Sequence, residues 1–135
     1  MSDQPSLTEM IDAIIKTFIV AHADDTDAHL AQALVYNAGR LAWRLREQGV
    51  DVSQKTDRAD VVTDADFAAE RFVAGVLEAL RGEDGIVGEE GANRESKSGR
   101  TWVIDPVDGT FNFASGFDYW CSALALTDAS GVILG

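Results

Sequence analysis

Four acidic side chains stand where short apolar runs end. Val61-Val62 leads to Asp66, Ile86-Val87 leads to Glu89, and Val103-Ile104 leads to Asp105 and Asp108. Such runs read as strands, and acids at their ends can be delivered to one place. Carboxylates gathered in that way make a site of hard oxygen donors. With no His or Cys beside them, they suit magnesium, or manganese in its place, better than zinc.

Most of that chemistry falls in one stretch, Asp105-Pro106-Val107-Asp108-Gly109-Thr110. Asp105 and Asp108 are three apart, so a straight strand would send them to opposite faces. Pro106 is expected to fix a turn that brings both carboxylates to one side and bares the Val107 carbonyl as a further oxygen ligand. Gly109 lets the backbone come close to a ligand. Thr110 is expected to open a short helix, whose free N–H groups, with that of Gly109, would cradle a phosphate. Taken singly, each acid is more often a turn former or a helix cap. Three such elements together, each closing an apolar run with acids, favour a site for cations and phosphate together. An EF-hand is excluded, because the third position from Asp105 is Val107 and the twelfth is Gly116. The haloacid-dehalogenase phosphatases carry Asp-x-Asp-Gly-Thr, which has one residue fewer between its acids.

The elements that must position these groups follow from spacing. Leu7, Met10, Ile11, Ile14, Ile15 and Phe18 share one face of an expected helix over residues 6–22. That face packs on the same molecule or on a twin subunit, so a homodimer is one expected state. After the polar break at residues 24–27, Leu30, Ala33, Leu34, Ala38, Leu41 and Leu45 keep helical spacing to about Gln48, and Gly49 closes the helix. Residues 50–60 are polar and irregular, with Lys55 among them. Val61-Val62 reads as strand. Thr63 then begins a helix, with Asp66 in a capping-box arrangement and Phe67, Val73, Val76, Leu77 and Leu80 on its buried face. The polar residues after Gly91 read as a mobile loop. Residues 102–104 and 119–127 read as strands, residues 128–131 as a hairpin turn and residues 132–135 as the start of a return strand. No cap, charged tail or turn follows, which reads as the N-terminal part of a longer protein.

The totals narrow the partners. The 135 residues suit one domain, and 46% of them are hydrophobic, enough for a packed core. With 23 acids against 11 bases, the formal net charge is −12. That argues against nucleic acid and against an anionic membrane. It also means that a phosphate substrate would need bound cations. The apolar stretch of residues 11–20 is too short to span a membrane, is interrupted by Lys16, and follows Asp3, Glu9 and Asp12 rather than a basic start. A single cysteine, Cys121, points to a reduced, cytoplasmic compartment and is expected to be a packed thiol.

Three motifs carry a resemblance. Val62-Thr63-x-x-Asp66, Gly88-Glu89-Glu90 and Trp102-Val103-Ile104-Asp105-Pro106-Val107-Asp108-Gly109-Thr110-Phe111-Asn112-Phe113 occur in the order found in the inositol monophosphatase family. The chain resembles that family from about residue 27 to residue 135, and the first 25 or so residues look like an added arm. The resemblance implies an α+β fold, the N-terminal half of an αβαβα layered architecture, with helices packed on an antiparallel sheet. It divides the chain into an arm, residues 1–24, and a metal-binding domain, residues 25–135, with the family's C-terminal domain absent.

The resemblance also implies roles. Glu89, Asp105 and the Val107 carbonyl would hold a first magnesium. Asp105 would bridge to a second ion shared with Asp108, and Asp66 would act through water on a third near Glu89. Thr110 would orient the attacking water with Asp66 as its partner, Gly109 and Thr110 N–H groups would bind phosphate, and Lys55 falls near a family lysine close to the site. The reaction implied is magnesium-dependent hydrolysis of a small phosphate monoester, in which paired ions roughly 3.5–4 Å apart neutralise the phosphoryl oxygens. Phe111-Asn112-Phe113 looks like the branch acting on myo-inositol 1-phosphate. Histidinol phosphate or another sugar phosphate is the alternative, although relatives of the histidinol branch tend to carry a basic residue directly after the threonine. The family's last second-metal ligand, an aspartate in a downstream Trp-Asp motif, is not in these residues. The other class of reading is therefore a chain that binds metal or phosphate without turnover.

Overall fold

Small and branched residues recurring every fourth position set the framework. In the computed structural model, which describes residues 5–52 and 58–134, helix α2 (Asp27–Val52) buries Leu30, Leu34, Ala38 and Ala42 along one stripe. Helix α3 (Arg58–Leu80) buries Ala65, Ala69, Phe72, Val73, Val76 and Leu77. Alanines on both stripes let the two axes approach closely, and α2 and α3 form the main helix pair. Helix α1 (Leu7–His22) opens with a cap, Glu9 N–H donating to Ser6 Oγ at 3.1 Å. It lies on α3, where Ile11 and Phe18 are buried and Phe18 meets Phe72 edge-on. Asp12 and Arg71 pair across the α1–α3 contact at 3.0 Å.

The sheet comprises β1 (Gly85–Gly88), β2 (Asn93–Arg94), β3 (Thr101–Asp108) and β4 (Cys121–Thr127), in the order β2-β1-β3-β4. Its inner face, carrying Ile86, Trp102, Ile104 and Leu126, is buried in the same core as the helices. Fully burying a side chain such as Ile86 contributes about 1.5–3 kcal/mol. Val87 and Val103 alternate onto the other face and stay exposed. A short helix, α4 (Thr110–Ala114), joins β3 to β4 and is seated by Phe113, which is fully buried.

The α+β class holds, with helices packed against a sheet, but the sheet is mixed: β1 pairs with β3 in parallel, while β2 and β4 pair antiparallel. Other expectations need correcting. Val61 and Val62 lie inside α3, which begins at Arg58 rather than Thr63. Two β-branched residues are outvoted by the helical run that follows them, a small local cost against many tertiary contacts. Asp66 is therefore an interior helix residue rather than part of a cap. Helix α2 passes through Gly49 to Val52, since one glycine costs only about 1 kcal/mol in a long helix. Leu7, Met10 and Ile14 of α1 and Phe67 of α3 are exposed, so each buried face is narrower than its apolar spacing suggested. The return strand is one bridge, Thr127 to Ile133. Among the described residues, no helix is long and apolar enough to cross a membrane.

The loop read as mobile is tied down by one buried acid. Asp84 accepts from Trp102 Nε1 at 2.9 Å, Ser98 Oγ at 2.6 Å and Arg100 Nη2 at 2.8 Å. Arg100 reaches on to Asp27 at 2.8 Å, which also takes Arg81 Nε at 2.7 Å. Arg94 closes the group by donating to the Asp84 and Arg81 carbonyls. The start of α2, the end of α3 and the starts of β1 and β3 thus meet in one charge-assisted network. Burial alone would raise the Asp84 pKa, but hydrogen bonds from Arg100, Ser98 and Trp102 outweigh it and hold the group at about 2.

A depressed carboxylate pKa stabilises the fold above its unfolded value, and that contribution is lost as pH falls towards the folded value. Asp84→Asn is expected to cost about 2 kcal/mol at neutral pH. Urea denaturation at a series of pH values should show the gap closing between about pH 4 and pH 2. A gap that stays constant over that range would remove Asp84 from the account.

Candidate functional site

Three pieces of backbone bring the acids together. Asp66 leaves α3 facing the sheet and is buried. Glu89 and Glu90 sit in the turn that follows β1, and the Glu89 N–H donates to the Ile104 carbonyl at 3.2 Å, which ties that turn to β3. Asp105 and Asp108 lie on the last part of β3, half-buried and exposed respectively. The ladder to β4 pairs Asp105 with Ala123 but Asp108 with Cys121, so its register shifts between the two acids. A bulge of that kind resets the alternation of side chains. Pro106 and Val107, adjacent in sequence, are both buried, which a regular strand would not allow. The expected turn at Pro106 is thus an irregularity within a strand that continues to Asp108.

The acids feel one another's charge. Burial pushes Asp66 up to about 7, and the Glu90, Glu89 and Asp105 carboxylates add to the shift. Burial pushes Asp105 up to about 6, with Glu89 and Asp108 adding to it and only the Val107 N–H opposing. Asp66 Oδ1 and Asp105 Oδ1 are buried, and neither has a hydrogen-bond partner among the described residues. Buried oxygens of this sort are normally satisfied in folded proteins, by protein, ordered water or an ion. Both groups ionise near pH 4 when unfolded. Holding them in the folded chain therefore costs stability that grows as pH rises from about 4 and levels off at about 6 for Asp105 and about 7 for Asp66, a cost that a bound cation would offset.

The donor set fits a hard divalent ion: every group in it is oxygen. Among the described residues, however, no three His, Cys, Asp or Glu side chains are already gathered as a finished cage. Charge is felt over longer distances than ligation, so the two observations agree. The acids stand as neighbours, Asp105 by Glu89 and Asp66 by Glu90, rather than as a closed coordination shell.

Gly109 turns the chain from β3 into α4. Its φ of +93° is open to glycine at little cost, and a Cβ there would come within 3.1 Å of the Tyr119 carbonyl. The Thr110 hydroxyl donates to the Val107 carbonyl at 3.4 Å, so the proposed carbonyl ligand and the proposed water-orienting residue touch. A hollow of about 460 Å³ opens beside Asp108 and Gly109, walled by Asn112, Tyr119 and Cys121. Cys121 is exposed there rather than packed, because it is the first residue of β4 and sits opposite Asp108 across the bulge. Lys55 lies outside the described residues.

Sequence reasoning missed two supports. Arg46 of α2 is buried, lies 5.1 Å over the Phe113 ring, and donates to the Phe117 carbonyl at 2.9 Å, holding the segment between α4 and β4. Nothing local marks it, since its partners are some seventy residues away. Glu70 is the other. An acid four residues after Asp66, on a helix face rich in alanine, was the signal available.

Known proteins resemble this chain. A histidinol-phosphatase of Mycobacterium tuberculosis is 40% identical over 104 residues, which are 76% of this chain and 39% of that protein. An inositol-1-monophosphatase of Rhizobium meliloti is 38% identical over 104 residues, 75% of this chain and 38% of that protein. The solved structure of Mycobacterium tuberculosis SuhB superposes with a TM-score of 0.63 at 30% identity, covering 82% of this chain and 39% of that one. The chain thus spans about two-fifths of the length of the relatives it matches. The profile of the inositol monophosphatase family matches residues 23–135, and the chain belongs to that family.

Proposed function

We propose that this chain carries the metal-binding half of a magnesium-dependent phosphate-monoester hydrolase. The observation that carries the reading is the pair of buried, partnerless oxygens on Asp66 and Asp105, set among Glu89, Glu90 and Asp108 beside the start of α4. Glu89, Asp105, Asp108 and the Val107 carbonyl would hold the ions, with Asp66 acting at longer range and manganese able to replace magnesium. When bound, those ions supply positive charge at the phosphoryl oxygens and polarise the attacking water.

The chain's own groups do the rest. Gly109 and Thr110 direct their N–H groups at the phosphate, as the first turn of α4 leaves them free of helix partners. Thr110 Oγ orients the attacking water, and Asp66, raised towards neutrality, takes up a proton there as the water loses it. The hollow beside Asp108 and Gly109 has room for the alcohol. At −12 the protein repels a phosphate dianion, so anion binding depends on filling the acid cluster first.

For the alcohol we favour myo-inositol 1-phosphate, on Phe111-Asn112-Phe113. The second reading is histidinol phosphate, supported by a 40% identical relative named histidinol-phosphatase. Lys55, near the site by family likeness, is a candidate contact to the phosphate. On its own the chain is expected to bind magnesium without turnover, because the family's further aspartate is not among its residues.

Calorimetry should show magnesium binding to the chain, and Asp105→Asn should weaken it roughly tenfold, since a charged oxygen donor becomes neutral. Unchanged affinity would take Asp105 out of the ligand set. In a thermal melt near pH 8, saturating magnesium should raise the midpoint, and the rise should shrink in the same variant. In phosphate-release assays, the isolated chain should stay at background on inositol 1-phosphate. The longer protein should turn over and prefer inositol 1-phosphate to histidinol phosphate. Turnover by the isolated chain would mean that these residues complete the site.

A further inference from the structure

We infer that Glu70 is a positioning residue, which clamps the Gly88–Ala92 turn and so fixes where Glu89 and Glu90 face Asp66. The inference rests on the reading of the acid cluster as a cation site. Glu70 lies one helical turn beyond Asp66 on α3, so both leave the same face of the helix. It is 3% exposed. Its carboxylate is spent on backbone: Oε1 accepts from the Glu90 N–H at 2.9 Å and Oε2 from the Ala92 N–H at 2.9 Å. A buried carboxylate that takes one N–H on each oxygen is a two-point clamp with charge-assisted bonds.

The turn it holds is under load. Glu89 and Glu90 repel Asp66 and Asp105 whenever all are ionised, which is the state a cation needs. The turn's own bonds are few, chiefly Gly88 N–H to the Ala92 carbonyl at 2.7 Å and Gly91 N–H to the Gly88 carbonyl at 3.3 Å. Repulsion would let it swing away from α3, and Glu70 opposes that from below. Gly88 fits the same account. A methyl group there would run into the Glu70 carboxylate, so the absent side chain makes room for the clamp.

Glu70→Gln in the full chain tests this. The amide keeps the size but offers one acceptor oxygen for two N–H groups. Amide hydrogen exchange at Glu90 or Ala92 should quicken about tenfold while Ile104 keeps its rate. Magnesium affinity by calorimetry should fall roughly tenfold, as it does when a group supporting a metal ligand is lost. Gly88→Ala, which displaces the same carboxylate from the other side, should do the same, and the double variant should lose little more than the worse single one. Unchanged exchange at both amides would overturn the clamp. Faster exchange with unchanged magnesium affinity would leave Glu70 a purely structural residue and overturn its positioning role. If the parent chain binds no magnesium, the cation reading falls instead, and the exchange rates still decide whether Glu70 holds the turn.

Discussion

The structure depends on keeping like charges together around one buried acid, Asp66, and one half-buried acid, Asp105. Asp66 and Asp105 are raised to about 7 and about 6 because burial and neighbouring acids both disfavour their ionised forms. Left to themselves, those acids would move apart. Helix α3, the turn after β1 and the bulged end of β3 each deliver their part, and each is anchored away from the cluster: by the α2–α3 core, by Glu70, and by the ladders to β1 and β4. The fold stores repulsion that a divalent cation is suited to relieve.

Anchoring at a distance explains features that look unrelated to the site. The Asp84 network gathers both long helices at their ends and both central strands at their starts, whereas the acids lie at the other ends of β1 and β3. Phe113 and Arg46 do comparable work for α4, holding the segment that follows the turn at Gly109. The parallel pairing of β1 with β3 matters for the same reason. It sets the ends of both strands side by side, so that the turn carrying Glu89 and the bulge carrying Asp105 begin at the same edge.

Glu89, Asp105 and Asp108 were legible as acids on or just after apolar strands, whereas Asp66 was singled out by a strand reading that the structure replaces with helix. Also legible were α1, most of α2 and the strand leading to Asp105, since their spacing is local. What was not legible depends on distant partners. Val61-Val62 has strand character taken alone, and only its continuity with the buried run down to Leu77 makes it helix. The mixed sheet needed a pairing between residues some sixteen apart, with β2 and a pinned loop between them. Glu70 and Arg46 look like ordinary helix acids and bases until the chain closes over them.

Asp84 and Asp66 show why a buried acid is not one kind of evidence. Both are buried aspartates of the same domain. Burial raises the pKa of each, yet Asp84 ends at about 2 and Asp66 at about 7. The difference is the neighbour: Asp84 faces a guanidinium, a hydroxyl and an indole N–H, whereas Asp66 faces other carboxylates. A partnered acid has its counter-charge inside the chain and holds the fold. An acid surrounded by acids has none among the described residues, and that lack is the physical basis for reading it as a binding group. Glu70 falls between the two. It is buried, with no cation against it among the described residues, and its oxygens accept from the Glu90 and Ala92 N–H groups of the turn that carries Glu89 and Glu90.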